Sequence, residues 1–309
     1  MSALYQVANA STVAADAAAE MARFGMAPVN QRDLRTDGAL CRFDAEGDGN
    51  GRKRNAWAVI FTDGVRPVVT FGHWARGIRE TVVLGKPGPL SATERVRSDM
   101  AIDAARRERN RQIEGARKRA REEANHRWNS GKPASPDHPY LVAKRIGAGG
   151  LRTSGTWLLV PMRDVNGVLQ NLQTIRVGGN KRFLKGGRMS GCYASIGLPG
   201  EHFLVCEGWA TGQSLHKATG LPVAVAFAAC NLGNVAKVLR GKYPSARITV
   251  CADNDAKPDR DNTGVNAARE AAALVGGYVA IPPIAGDWND YINATADGSG
   301  TTTLREAIR

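Results

Sequence analysis

From His202 onward the chain alternates short apolar runs with segments of helix-forming residues. HFLVC (202–206), PVAVAF (222–227), RITVCA (247–252) and GYVAI (277–281) are apolar almost throughout, and helical segments at 208–219, 234–241 and 264–275 separate them. Strands that are apolar on both faces, alternating with helices, predict a parallel sheet covered on both sides. The pattern before it differs. WLLVP (157–161), VLQNLQTIRV (168–177) and KRFLK (181–185) read as strands of a smaller unit. Nearer the start, LCRFD, AWAVIFTDG and RPVVTFGHW read as short strands separated by Gly, Asn and Asp turns. Residues 12–24 are rich in good helix formers and predict a short helix.

Between these blocks lies one long polar segment. Ser91 and Glu94 form a capping box, in which each side chain satisfies a free backbone N–H. The helix it opens runs to about Trp128. Few of its positions are apolar, so it predicts a solvated spacer between domains or a surface that meets nucleic acid directly. The resulting division is a β-rich module over 1–85, a basic helical linker over 90–130, a basic α+β subdomain over 137–200, the α/β sheet over 201–295 and a tail over 296–309.

Composition adds a compartment. No apolar run is long enough to span a bilayer, and the N-terminus lacks the basic start and apolar stretch of a secretory signal. Five scattered cysteines form neither a disulfide framework nor a zinc cluster. A reducing cytoplasm is expected.

Charge adds a partner. The formal net charge is +13. Residues 141–200 hold nine Lys and Arg against one acid, whereas 201–295 hold eight against nine. A solvated face usually mixes both signs, so a block this one-sided reads as a surface for a polyanion. The alternative is basic residues kept for solubility.

The candidate chemistry lies at strand ends. In open parallel sheets, ligands bind at the carboxyl ends of strands. Glu207 follows the first apolar run, and Asp253 and Asp255 follow the third. The two-residue spacing turns Asp253 and Asp255 to one side of an extended backbone. Clustered carboxylates repel one another unless a cation sits among them, and oxygen ligands without nearby His favour magnesium or manganese. Asp287 and Asp290, after the fourth run, are candidates either for further acidic ligands or for an Asx turn opening the last helix.

These residues carry a resemblance. FLVCEGWATGQSL followed by ITVCADND resembles the Toprim domain of bacterial-type primases, topoisomerases and some nucleases. The resemblance implies that Glu207, Asp253 and Asp255 are catalytic and bind magnesium, and that Gly208 permits the tight turn after the Glu. LLVPMRDVNGVLQNLQTI and NKRFLKGGRMSGCYASIG resemble the basic subdomain that precedes Toprim in bacterial-type primases. There Arg163, Lys181, Arg182, Lys185 and Arg188 match the basic positions that support template and nucleotide binding. EGWAT and NTGVNAAREAA are most similar to primases of conjugative plasmids and phages. The likeness covers 137–295 well and extends loosely to 35–80.

Two positions depart from the pattern. Many bacterial primases carry an Asp four residues after the Glu, where this chain has Thr211. The N-terminal module of chromosomal primases binds zinc, yet this segment has only Cys41 and His73, and a zinc ribbon needs four ligands. No zinc is expected, and Trp57, Trp74, Phe61 and Phe71 are expected to form the module's core. The resemblance thus implies a primase making short RNA primers for plasmid or phage replication. Its partners would be single-stranded DNA, ribonucleoside triphosphates and a separately encoded helicase, with no membrane. The alternatives are a Toprim nuclease and a non-catalytic single-stranded-DNA-binding accessory protein of recombination or replication.

Overall fold

The computed structural model describes residues 10–48, 54–62, 66–74, 76–85, 92–255, 262–295 and 298–309. The chain divides into two units, Met1–Arg111 and Gln112–Arg309.

In the first unit, helix α1 (Ala10–Ala22) precedes a four-stranded antiparallel sheet in the order β1 (Cys41–Phe43), β2 (Ala56–Phe61), β3 (Val68–His73), β4 (Ile78–Val83). One face of the sheet, with Phe43, Ala58, Ile60 and Phe71, buries itself against Val13, Ala17 and Met21 of α1. β4 was not expected, because an edge strand reading IRETVV has little apolar pattern. The expected aromatic core is corrected too. Only Phe71 of the four aromatics is in it, whereas Trp57 and Phe61 are half-buried and Trp74 is 50% exposed. Strand alternation explains this, since Trp57 pairs with Gly72 and Phe61 with Val68, on the opposite face from Phe71. Cys41 donates its S–H to the Ala58 carbonyl. His73 accepts from the Arg76 N–H through Nδ1 and therefore donates through Nε2 to Asp48 at 2.9 Å. Both potential soft ligands thus have structural partners. Elemental analysis of the purified protein is expected to find no stoichiometric zinc, and one tightly held zinc per chain would refute this.

Helix α2 (Ala92–Ser130) crosses the boundary between the units. Ser91 of the expected capping box lies outside the described residues. The C-terminal turns of α2 are not a solvated spacer. Ala124 packs on Leu159, Leu169 and Leu172, and the Trp128 ring lies 5.0 Å from the Arg152 guanidinium and 5.8 Å from that of Arg163. A stripe this narrow, chiefly Ala120 and Ala124, leaves almost no amphipathic signature.

The second unit continues with β5 (Lys132–Pro133), α3 (Pro139–Lys144), β6 (Arg152–Ser154), β7 (Trp157–Arg163), β8 (Leu169–Ile175) and β9 (Lys181–Phe183), whose strands form one antiparallel sheet in sequence order. After these come β10 (Ala194–Ile196), β11 (His202–Cys206), α4 (Trp209–Thr219), β12 (Val223–Val225), α5 (Ala229–Lys242), β13 (Arg247–Cys251), α6 (Thr263–Ala273), β14 (Tyr278–Ala280), α7 (Trp288–Ala294) and α8 (Ser299–Ala307). This last sheet has the order β10-β12-β11-β13-β14, parallel except for β10, which runs antiparallel to β12. The expected parallel sheet with helices on both faces is present in β11 to β14, and it gains one antiparallel edge strand, β10, from the stretch assigned to the basic subdomain.

Side-chain alternation on the strands feeds two cores. Phe203, Val205, Ile248 and Val250 meet α5 and α6 on one face, while Leu204, Cys206, Val225 and Cys251 meet Trp209, Leu215, Trp288 and Leu304 on the other. The second core also contains Leu158, Val160 and Met162 of β7, so the basic subdomain and the α/β sheet share one interior. Residues expected as a tail form α8, whose Leu304 is fully buried and whose Arg305 Nε donates to the Ala218 carbonyl.

Candidate active site

β11 and β13 are adjacent and parallel, with Val205 opposite Val250. Glu207 and Asp253 therefore leave the sheet together at its carboxyl edge. The Ala229 N–H at the start of α5 favours the ionised form of Glu207, at a helix end whose N-cap Ala228 offers no side-chain acceptor. The turn before α5 places Phe227 at φ 71°, a left-handed conformation that costs a non-glycine residue energy and so marks a constrained site. Phe227 N–H donates to the Glu207 carbonyl at 2.8 Å, and its ring meets Phe183 edge-on at 6.2 Å. Phe183 is on β9, two residues from Lys181. That packing brings the Lys181 ammonium to the carboxylates, where it favours the ionised forms of both Glu207 and Asp253.

Asparagines hold the Asp253–Asp255 segment. Asn254 Nδ2 donates to the carbonyls of Pro282 and Ile284 at 3.0 and 3.1 Å. Asn262, the N-cap of α6, donates to Asn254 Oδ1 at 2.8 Å and accepts from the N–H groups of Asp255 and Val265. The backbones of Asn254 and Gly286 exchange two hydrogen bonds of 2.9 Å. Gly264 lies against this segment so closely that a Cβ would sit 2.3 Å from the Asp253 carbonyl oxygen. None of these roles was visible in sequence, because asparagine and glycine there read as ordinary turn formers.

The site is electrostatically frustrated without a cation. Burial, then the charges of Glu207, Asp287 and Asp255, push Asp253 up to about 8, against the pull of Lys181. Burial and Asp255 also raise Glu207, against the Ala229 N–H and Lys181. Asp253 Oδ1 is buried with no hydrogen-bond partner. Among the described residues, no three Asp, Glu, His or Cys side chains enclose a point at coordination distance. Like charges spread apart, yet Asp255 stays close enough to raise the proton affinity of both Glu207 and Asp253. An orphaned buried carboxylate oxygen beside two further carboxylates fits a hard divalent cation. Cys206 and Cys251 lie beneath, but burial raises both thiols well above their usual range, so they are not thiolate ligands.

The other candidates are dispersed. Asp287 is the N-cap of α7 and accepts the Asp290 N–H at 2.9 Å, while Asp290 pairs with Lys144 at 3.0 Å. Thr211 is buried in α4 beneath Gly208. Arg163 donates to the Gly167 carbonyl and packs on Trp128, inside the basic sheet rather than at the carboxylate edge. Arg182 and Lys185 are exposed, and half-buried Arg188 donates to the Ser190 carbonyl. Asn231, fully buried on α5, accepts the Gly191 N–H and donates to the carbonyls of Cys192 and Ala226, tying the basic loop to the sheet.

Residues 202–298 match the Toprim domain family. The chain carries a Toprim domain. Toprim domains generally bind divalent cations. In sequence the chain is similar to DNA primase TraC of Escherichia coli, 30% identical over 270 residues, covering 82% of this chain and 25% of that protein. A second DNA primase TraC of Escherichia coli is 31% identical over 191 residues, covering 57% of this chain and 13% of that protein. The chain thus spans a quarter or less of the length of these relatives. Among solved structures, the primase fragment of the bacteriophage T7 primase-helicase protein aligns with a TM-score of 0.43 at 13% identity, over 85% of this chain and 97% of that one. No helix among the described residues is long and apolar enough to cross a membrane.

The raised carboxyls of the Toprim domain give a pH signature. A carboxyl that ionises near 4 when unfolded and near 8 when folded binds more protons in the native state across that window. Metal-free protein therefore loses stability as pH rises from 4 to 8. A cation bound to the ionised carboxylates offsets this, so the increase in Tm on adding magnesium to chelator-treated protein is expected to be larger at pH 8 than at pH 6. An equal increase at both pH values would refute the metal site.

Proposed function

We propose that this chain is the catalytic portion of a DNA primase, making short RNA primers on single-stranded DNA by nucleotidyl transfer. The observation that carries the reading is the junction of a Toprim carboxylate edge with a basic sheet, made through Lys181. Similarity to the TraC primases supports it. Glu207, Asp253 and Asp255 would hold magnesium or manganese. Bound there, the metal would supply charge neutralisation for a triphosphate and activation of an attacking hydroxyl.

The chain's own groups do the rest. Lys181 lies close enough to the carboxylates to meet triphosphate charge at the same edge. Arg182 and Lys185, exposed beside it, hold template phosphates, the arginine through its guanidinium fork and the lysine as a point charge. Phe183 and Phe227 keep β9 and Glu207 at a fixed spacing. Asp287 lowers the tolerance of the edge for further negative charge unless cations balance it. Ribonucleoside triphosphates are the proposed substrates, single-stranded DNA the template, and a separately encoded helicase the replication partner, with the work done in the cytoplasm.

The direct test is incubation with single-stranded template, magnesium and labelled ribonucleotides, with the products sized. Short labelled primers are expected. Shortened template without incorporation would assign a nuclease instead.

Template contact has its own test. Changing both Lys181 and Arg182 to Glu is expected to weaken single-stranded DNA binding and flatten its salt dependence. Each lost phosphate contact lowers the slope of log affinity against log salt by about 0.7. An unchanged slope would return these residues to the solubility reading.

A further inference from the structure

A cleft of about 610 Å³ opens between α3, α7 and the turn joining β8 to β9. Sites for small molecules run from about 300 to 1,000 Å³. Hydrogen bonds pin two of its walls together. Asn289 and Asn293 both donate to the Lys144 carbonyl, the Arg145 guanidinium donates to the Asn293 carbonyl, and Lys144 pairs with Asp290 at 3.0 Å. Arg145 ends α3 at φ 53°, a left-handed conformation that a non-glycine residue keeps only under constraint. The third wall is bare backbone, since Gly178 and Gly179 carry no side chain and a Cβ on Gly179 would lie 3.9 Å from the Tyr140 ring. Two polar atoms of residues lining this cleft have no partner among the described residues. Tyr140 is 4% exposed and its hydroxyl is idle. Asn289 is fully buried; its Nδ2 donates to the Lys144 carbonyl and the Ser214 hydroxyl, while its Oδ1 is idle. Burial, then the charges of Asp287 and Asp290, push the Tyr140 phenol up to about 12, so it keeps its proton and can donate. A buried donor and a buried acceptor left without partners are costly, and folded proteins hold few of them. The cleft adjoins the carboxylate edge, because the charge of Asp287 acts on both Tyr140 and Asp253.

We infer that this cleft is a ribonucleotide site that reads the sugar: the ribose diol satisfies both idle atoms, with the Tyr140 hydroxyl on the 2′-oxygen, while Arg145 meets a phosphate at the rim. The inference rests on the proposed function, which brings nucleotides to the adjoining edge. Hydroxyls both donate and accept, so one diol answers an idle donor and an idle acceptor together. A 2′-deoxyribose leaves Tyr140 as it stands, unpartnered in its pocket. The charge at the rim selects a phosphorylated sugar over a neutral one. Asp290 balances Lys144, so the exposed Arg145 guanidinium remains as the net cation. Access comes through the glycine turn. Both idle atoms are closed off from water, and the wall over Tyr140 is backbone alone, so an entering sugar displaces it without breaking any side-chain packing.

The experiment titrates the full chain with ATP and with dATP in magnesium buffer and follows binding by calorimetry. ATP is expected to bind about tenfold or more tightly than dATP, because a site built to hydrogen-bond a hydroxyl rejects the analogue that lacks it. Tyr140→Phe deletes only the phenolic oxygen. It is expected to weaken ATP binding about five- to tenfold and to leave dATP within about twofold, so that the preference for ribose falls towards one. The same variant should melt no lower than wild type without nucleotide, since the hydroxyl it removes has no partner to lose. Arg145→Gln should weaken both nucleotides alike. Equal affinity for ATP and dATP in the wild type would overturn the site, as would a Tyr140→Phe protein that weakens both equally or melts well below wild type. Absence of ATP binding at millimolar concentration would overturn it too. Binding is read without primer synthesis, so the two readings fail separately. Ribose preference that depends on Tyr140, in a protein that makes no primers, would uphold the cleft and sink the primase reading. Primers made by a protein whose ribose preference survives Tyr140→Phe would do the reverse.

Discussion

Glu207→Gln and Asp253→Asn are each expected to abolish primer synthesis, by roughly a thousandfold or more, while single-stranded DNA binding stays within about twofold of wild type. Both changes keep the shape of the side chain and remove a charge from the edge where the cation would bind. Template binding rests on cations that both variants keep, Arg182 and Lys185 foremost. The two variants should part company in stability. Asp253 is the carboxyl that burial and three neighbouring acids press hardest. Making it neutral removes that repulsion, so metal-free Asp253→Asn should melt several degrees above metal-free wild type at pH 8, roughly 1–3 kcal/mol for a unit of this size. Glu207→Gln should gain less, because it also removes the negative charge that the Ala229 N–H at the start of α5 favours. An active Asp253→Asn protein, or one that melts below wild type at pH 8, would dismiss the electrostatic account of the site.

Asn254→Ala is expected to weaken divalent cation binding about 10- to 100-fold, as loss of a group that orients metal ligands does. It should also cost roughly 1 kcal/mol of stability, because it removes the partly buried bonds of Asn254 to the Pro282 carbonyl and the Asn262 amide. The activity loss should be recovered at raised magnesium concentration, since the ligands themselves remain. Titrating activity against magnesium separates this from Asp253→Asn, which excess metal does not rescue. If Asn254→Ala has the wild-type magnesium requirement, the asparagine network is only a turn.

How much of this could be read from the sequence depends on the range of the interactions. The four apolar runs after Gly200 fix their own strands, since each is apolar on both faces, and the acids directly after them inherit their place from strand polarity. The antiparallel edge strand Ala194–Ile196 has no such signal, because three residues become a strand only by pairing with Val223–Val225. Likewise TTTLREA, with its run of β-branched threonines, favours helix weakly, and Ser299–Ala307 is helical because Leu304 is buried against the sheet's helices. Trp57 and Trp74 were misplaced for a further reason. Aromatic residues in strands are usually core, and only register reveals that Gly72 opposite Trp57 leaves a shelf on the outer face. Lys181 was marked by its charge alone. Its position beside Glu207 comes from the contact between Phe183 and Phe227, which joins residues 44 positions apart.

The shared interior of the basic sheet and the Toprim sheet limits how such genes can be rearranged. A break at residue 200, where the two look separable by composition, would cut between β10 and the rest of its own sheet. It would also expose Leu158, Val160 and Met162 on one fragment and Leu204, Cys206 and Trp209 on the other. Chimaeras with other proteins are therefore expected to be soluble when the crossover falls near Arg111, and to aggregate when it falls near Gly200. The carboxylate edge and the basic sheet beside it would be inherited together, as a single exchangeable cassette.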